Sequence, residues 1–96
     1  MISREDFIFT IGYDGSTAVV DGKARKEYGK LGTMQLAEKG LYRAAYSSAL
    51  YSGDESEMRS FIAYFNGVAG TGYTGSDQLA RLFGVSRETI TKVLLV

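Results

Sequence analysis

The sequence contains no cysteine, no histidine and no proline. The absence of cysteine excludes disulfides, thiolate metal sites and cysteine nucleophiles. The absence of histidine removes the commonest general base and the commonest side-chain metal ligand. No acid, base and nucleophile converge in the sequence, so we predict that the protein is not an enzyme and carries no cofactor or metal. Because proline is missing, the twelve glycines supply most of the breaks between elements.

Long hydrophobic runs and an excess of one charge are also missing. No apolar run approaches the length of a membrane span, and the first residues, MISREDFIF, lack the pattern of a signal peptide. We therefore expect a cytoplasmic protein with no membrane partner. Eleven basic residues balance eleven acidic ones, which argues against strong non-specific binding to nucleic acid. The length of 96 residues, with 45% hydrophobic and 23% charged, fits one small folded domain over residues 1–96.

Residues 7–21 predict a β-hairpin. Inward and outward positions alternate through the first segment, FIFTI, and Asp14-Gly15 is a preferred two-residue hairpin turn. A second Asp-Gly, at 21–22, would fold residues 23–28 back as a third strand. A turn centred on Asp14-Gly15 predicts these cross-strand pairs: Phe9 with Val20, and Ile11 with Ala18.

The middle of the chain predicts two helices, so that the fold class is α+β. Residues 33–51 carry an apolar stripe with a glycine, Gly40, inside it. Residues 54–66 begin with Asp54 followed by Glu57, the spacing of a helix capping box, and continue with apolar residues at helical spacing. Four glycines in residues 67–75 then predict a flexible connection.

The stretch QLARLFGVSRETI predicts two short helices joined by a tight turn. Residues 76–83 form the first helix, Gly84 stops it, and Ser86 caps a second helix from Arg87 onward. The inward residues of the first helix would be Leu79, Leu82 and Phe83. Those of the second would be Ile90, Val93 and Leu94.

Over residues 76–95 this stretch resembles the helix-turn-helix of bacterial repressors of the lac repressor type. The matching positions are Ala80, Gly84, Val85, Ile90 and Val93. The resemblance implies a small transcription-regulatory protein whose partner is double-stranded DNA. In such a motif the second helix enters the major groove, and side chains at the phosphates position the protein. It implies base-facing roles for Ser86, Arg87 and Thr91, and phosphate contacts from Gln78 and Lys92, with Lys23, Arg25 and Lys26 as further phosphate-contacting residues.

An alternative function is protein–protein interaction, with the helical corner serving only as structure. Seven tyrosines and five phenylalanines exceed what a core of this size can bury, and aromatic residues are enriched at interfaces. The candidate interface residues are Tyr42, Tyr46 and Leu95. The partner would be a second copy, giving a homodimer, or another protein.

Overall fold

The computed structural model describes residues 2–85 and 90–96. In these ranges a three-stranded sheet is combined with six helices, which confirms the α+β class. The elements follow in the order α1 (Arg4–Ile8), β1 (Thr10–Asp14), β2 (Thr17–Val20), α2 (Gly22–Tyr28), α3 (Thr33–Glu38), α4 (Tyr42–Ser52), α5 (Glu55–Ala69), α6 (Ser76–Phe83) and β3 (Lys92–Leu95).

The predicted hairpin is present, but its first strand begins later than expected. Phe7 and Ile8 lie in α1, whose N-terminus is capped by the Ser3 hydroxyl accepting from the Asp6 N–H at 3.2 Å. Phe9 ends that helix, so the predicted strand segment at residues 7–9 is wrong. A helix cap followed by acidic residues stabilises a helix start, and this local signal outweighs the alternating pattern.

The hairpin turn lies one residue later than predicted, and the partner of Ala18 is shifted by two residues. Gly15, with φ of +60°, and Ser16 form the turn, so Asp14 pairs with Thr17. The predicted pairs are wrong. Val20 pairs with Thr10 and not with Phe9, and Ala18 pairs with Tyr13 and not with Ile11. The ladder is irregular between Thr10 and Gly12, which leaves Ile11 59% exposed.

The third strand of the sheet does not come from residues 23–28. Those residues form most of α2, because the Asp21 carboxylate accepts a hydrogen bond from the Ala24 N–H at 3.1 Å and caps the helix. The strand that completes the sheet is β3, which pairs with β2 in parallel. The strand order is β1-β2-β3, so β3 forms one edge.

The predicted helix at residues 33–51 is divided into α3 and α4. Gly40 adopts a φ of +79°, a left-handed conformation that interrupts a helix. A Cβ at this position would meet no atom within 4 Å. The glycine is therefore required by backbone conformation and not by close packing.

The core is built around α4, which contacts α1, α3 and α5. Small residues of α4, such as Ala45 and Ala49, are buried and permit this close approach, while Tyr46 supplies the largest fully buried side chain. The rings of Phe61 and Phe83 lie 6.2 and 5.5 Å from that of Tyr46. The helical layer covers the face of β2 that carries Ala18 and Val20, because α1 contacts both β2 and α4.

Polar side chains tie distant segments to this core. The guanidinium of Arg4 donates to the carbonyl oxygens of Gly29 (2.8 Å) and Leu31 (2.6 Å) and to Ser48 Oγ (3.0 Å). The Thr33 hydroxyl donates to the Glu57 carboxylate, and its oxygen lies 2.9 Å from Ser48 Oγ, whose own hydroxyl can donate to it. Arg4 thus links α1, α4 and the segment after α2, a role that the sequence did not indicate.

The helix predicted at 54–66 is present with its Asp54 cap, whose carboxylate accepts from the Ser56 and Glu57 N–H groups. It continues to Ala69, so the predicted connection at 67–75 begins too early. The remaining loop is held by Asn66, which bonds the Tyr73 carbonyl and amide and the Thr71 hydroxyl. These bonds join the loop to the last turns of α5.

Candidate functional site

One edge of the sheet is formed by β3. Its start is held at the hairpin turn, where the Thr91 N–H donates to the Ser16 carbonyl at 2.9 Å and the two hydroxyl oxygens lie 2.7 Å apart. Beyond its end, the Val96 N–H donates to the Val20 carbonyl at 2.9 Å, and the Val96 carbonyl accepts from the Gly22 N–H at 3.1 Å. A Cβ on Gly22 would lie 3.2 Å from that same carbonyl oxygen, so a glycine suits this close approach.

The backbone of β3 has a bonded side and an outward side. In a parallel ladder, alternate residues of one strand make the hydrogen bonds to its neighbour. Val96 bonds the end of β2 at Val20 through its N–H and the adjacent Gly22 through its carbonyl. The alternation therefore places Leu94 on the same bonded side. Val93 and Leu95 then direct their N–H and carbonyl groups away from β2. On that outward side no further strand is paired within residues 2–85 and 90–96.

The side chains at this edge are apolar and exposed on both faces of the sheet. Val93 pairs with Ala18 and Leu95 with Val20, so they lie on the face where both β2 residues are fully buried. Even so, Val93 is 40% and Leu95 55% exposed, because the helical layer covers β2 and does not reach across β3. Leu94 lies on the opposite face and is 53% exposed. Here "the β3 edge" means Lys92–Leu95 together with Val96.

The predicted second helix is not formed by the residues that the structure describes. Lys92–Leu95 are extended and belong to the sheet. Ile90 is partly buried against the core, as predicted, but Val93 and Leu94 are exposed. A short apolar run such as VLLV fits a strand as well as a helix. Pairing with β2 satisfies the backbone groups on one side of this strand.

The first helix of the predicted motif is present as α6, with Gly84 at φ +65° ending it. Leu79 is fully buried and Phe83 contacts the core, but Leu82 is 50% exposed and is not an inward residue. The helix predicted at residues 76–83 has these bounds, and Gly75 is its cap residue; the interpretation of Ser76 as the cap is wrong.

Within residues 2–85 and 90–96, the residues predicted to contact DNA do not lie together. Ser86 and Arg87 lie outside the described residues. Thr91 is hydrogen-bonded to Ser16 at the hairpin turn, and Lys92 is exposed beside it, at the start of β3. The side-chain amide oxygen of Gln78 accepts from the Thr74 and Gly75 N–H groups at 2.9 and 3.4 Å, so this side chain caps α6.

The predicted basic residues of α2 lie at the other end of the β3 edge. That helix begins at Gly22, which is bonded to Val96. A strand rises about 3.3 Å per residue, so the start of α2 is separated from Lys92 by most of the length of β3. Lys23 and Lys26 are exposed, whereas the Arg25 guanidinium lies 2.7 Å from the Asp6 carboxylate. The described basic residues therefore do not converge on one patch.

The alternative interface residues also separate. Tyr46 is 1% exposed, and its hydroxyl donates to the Ser76 carbonyl at 2.8 Å, so it belongs to the core and not to a surface. Tyr42 is half-buried with its ring edge on Phe65 at 5.4 Å. Leu95 is exposed on the β3 edge. Of the three predicted residues, only Leu95 is exposed.

Comparisons with protein-family models, with curated proteins and with solved structures found no match. Function must therefore be inferred from the residues and their geometry.

A groove of about 390 Å³ lies between β1, the start of α2 and the start of α4. Its walls include Phe9, Ile11, Tyr42 and Arg43. Burial lowers the pKa of the Arg43 guanidinium from its ordinary value. Its Nε donates to the Phe83 carbonyl at 2.8 Å and so fastens the end of α6 to α4. This hydrogen bond gives the partly buried Arg43 a structural role.

No group of three or more carboxylate, cysteine or histidine residues is placed to hold a metal ion within the described ranges. In the same ranges, none of the helices combines the length and the hydropathy that crossing a membrane requires.

Proposed function

We propose that this domain mediates protein–protein interaction, and that its docking site is the β3 edge. The partner contributes an extended, apolar strand that adds to the sheet beside β3. One observation carries the proposal: Val93 and Leu95 direct backbone donors and acceptors outward from a strand whose side chains are apolar and exposed on both faces. Strand addition to a sheet edge uses main-chain hydrogen bonds for affinity and side-chain contacts for specificity.

The edge lacks most of the features that protect exposed strands from association. Soluble proteins protect sheet edges with charged residues, prolines, bulges or a covering element. Only Lys92, at the start of β3, serves this purpose here, and Val93–Val96 carry no charge. A contiguous apolar surface of this kind marks an interaction site more often than scattered exposed residues do.

The affinity expected for such a contact is modest. Each hydrogen bond contributes about 0.5–1.5 kcal/mol net, and apolar burial contributes about 25 cal/mol per Å². Association also costs several kcal/mol in lost translational and rotational freedom. A strand as short as β3 therefore favours a contact that forms at micromolar or higher concentration.

A blocked peptide with the sequence KVLLV, taken from residues 92–96, serves as the probe strand. Titration into the ¹⁵N-labelled full chain should shift the Val93 and Leu95 amide signals and slow their exchange with solvent. Leu94→Glu should abolish these effects, because it places a charge in the centre of the edge. Leu82→Glu is the matched control, since Leu82 is 50% exposed on α6, and it should leave binding unchanged. Shifts that are absent, or that appear away from β3, would contradict the proposal.

DNA binding stays a prediction and needs its own experiment. Fluorescence anisotropy with a labelled random duplex at low and higher salt compares the wild type with Arg87→Ala/Lys92→Ala. Binding that falls steeply with salt and weakens in the double variant would support the prediction, because phosphate contacts release counterions. Absence of binding at low salt would leave the β3 edge as the site to pursue.

A further inference from the structure

We infer that the strand which adds to the β3 edge is β3 of a second copy of this chain. The two strands run antiparallel about a two-fold axis that lies midway between Leu94 and the partner's Leu94. Here this is called the axis through Leu94, and it gives a continuous six-stranded sheet. This inference rests on the proposed function, since it identifies the partner of the same edge. In a two-fold contact the same surface of each copy forms the interface, so each backbone group of β3 must be paired by a group of the partner's β3.

The backbone of the edge meets that requirement. Val93 and Leu95 are the outward-directed residues, and they flank Leu94 symmetrically. Rotation about an axis through Leu94 places Val93 opposite the partner's Leu95 and Leu95 opposite the partner's Val93. In an antiparallel ladder, two such opposed residues exchange both of their N–H···O bonds. Four main-chain hydrogen bonds therefore form without any residue being left unmatched between Val93 and Leu95.

The side chains are compatible with the same register. Val93 and the partner's Leu95 meet on the face that carries Ala18 and Val20, so they extend the apolar layer of each domain. Leu94 meets the partner's Leu94 on the opposite face, where each would otherwise remain 53% exposed. Apolar pairs directly opposite each other stabilise a ladder.

Charge also favours self-pairing in this register. The one charged residue of the edge, Lys92, falls opposite the partner's Val96, away from the partner's Lys92. An axis through Val93 would bring the two lysines within diagonal reach, where like charges repel. An axis through Leu95 would pair fewer residues of the strand. The chain has zero net charge, so no overall repulsion opposes association of two copies.

The absence of cysteine permits a direct test of the axis in the full chain. In an antiparallel ladder, opposed residues that are not hydrogen-bonded have Cα atoms about 4.5 Å apart, and disulfides span about 4.4–6.8 Å between Cα atoms. Leu94→Cys should therefore form a covalent dimer under mild oxidation. Val68→Cys is the matched control, because Val68 is 53% exposed on α5. We expect the Leu94→Cys dimer to form at least about tenfold faster, owing to the high effective concentration within a complex.

The register is tested by two neighbouring variants. Val93→Cys and Leu95→Cys place each new thiol about 7 Å along the strand from its counterpart, in addition to the spacing between strands, which exceeds disulfide reach. Slow cross-linking of both, beside fast cross-linking of Leu94→Cys, supports the axis through Leu94. Equal rates at residues 93, 94 and 95 would contradict it.

The unmodified chain provides a second measurement. Light scattering across a range of concentrations should move the mass from 10.5 kDa toward twice that value, and Leu94→Glu should hold it at 10.5 kDa. A monomer at every concentration, with Leu94→Cys cross-linking no faster than Val68→Cys, would overturn self-pairing. If the KVLLV peptide still bound β3 in that case, the proposed function would stand with a different partner. If the peptide did not bind either, both self-pairing and the proposed function would be contradicted.

Discussion

Two leucines of this chain have opposite environments. Leu79, on α6, is fully buried in the core, whereas Leu94, on β3, is 53% exposed. Within the described residues, four of the seven large exposed apolar side chains are consecutive, from Val93 to Val96. Exposed apolar residues are normally scattered over a protein surface. Here the elements packed around α4, called the body of the domain, bury most of their apolar side chains, whereas the exposed apolar side chains are concentrated on β3.

The two regions also differ in how they are held. Segments of the body are joined by side chains that span long sequence separations, such as Arg4 to Ser48 and Tyr51 to the Ile2 carbonyl. The paired residues of β3 are held to the sheet through their ladder with β2. The body is therefore held by side-chain packing and by long-range hydrogen bonds, whereas β3 is held by its ladder with β2. The backbone groups on the other side of β3 are not paired with a strand of the described residues.

The largest difference between the regions should appear when the two leucines are truncated. Leu79→Ala removes buried methyl groups and leaves a cavity, so the free energy of unfolding should fall by about 2–5 kcal/mol. Leu94→Ala should change it by less than about 0.5 kcal/mol in dilute solution, because the side chain is exposed. Urea denaturation measures both values. Equal losses would contradict the division between a closed body and an exposed strand.

The polar ties of the body provide a second, smaller contrast. Arg4→Ala removes three hydrogen bonds from a charged group and should lower the free energy of unfolding by about 2–3 kcal/mol. Arg59→Ala is the matched control, because its side chain is 72% exposed and lies 4.0 Å from Glu55. It should cost less than about 0.5 kcal/mol. Similar thermal shifts for both variants would show that the Arg4 contacts do not stabilise the body.

Alanine substitutions at two glycines of the body should change the free energy of unfolding in opposite directions. Gly40→Ala forces an alanine into a φ of +79° and should lower the free energy of unfolding by about 1–2 kcal/mol. Gly67→Ala lies within helix α5, with nothing within 4 Å of the added Cβ, and should raise it by about 0.5–1 kcal/mol. Chemical denaturation of the two variants checks the signs. A stabilising Gly40→Ala would show that the break between α3 and α4 does not require the left-handed residue.

Features encoded by neighbouring residues were predictable from the sequence. Asp54 caps α5 through N–H groups two and three residues away, and Gly84 ends α6 in the left-handed conformation. Each involves a short contact within one turn of helix, so residue type and spacing suffice. The α+β class follows from such local elements.

At two helix N-termini the sequence fits a strand or a turn as well as a cap, and the strand predictions there are wrong. Asp21-Gly22 fits a hairpin turn, but Asp21 instead caps α2. Ser3 caps α1 through Asp6, while the residues that follow alternate as in a strand. Local patterns support both outcomes in each case, and packing against the rest of the domain selects the helix.

The candidate site itself could not be predicted, because it depends on a distant pairing. Thr91 meets Ser16, 75 residues earlier in the chain, and no local pattern encodes that contact. Leu95 was identified as an interface residue, but through a helix that Lys92–Leu95 do not form. The outward side of β3 becomes visible only once its ladder with β2 is known, since the alternation of bonded residues defines it.

Amide hydrogen exchange along the β3 edge, followed as protein concentration is raised, tests the central claim most directly. In dilute solution we expect alternation: Leu94 and Val96 exchange slowly because they are bonded to β2, whereas Val93 and Leu95 exchange rapidly. At high concentration Val93 and Leu95 should become protected as a second strand pairs with them. Rapid exchange of Val93 and Leu95 at every concentration would contradict self-pairing at this edge. Protection of all four amides in dilute solution would contradict the outward-facing edge itself.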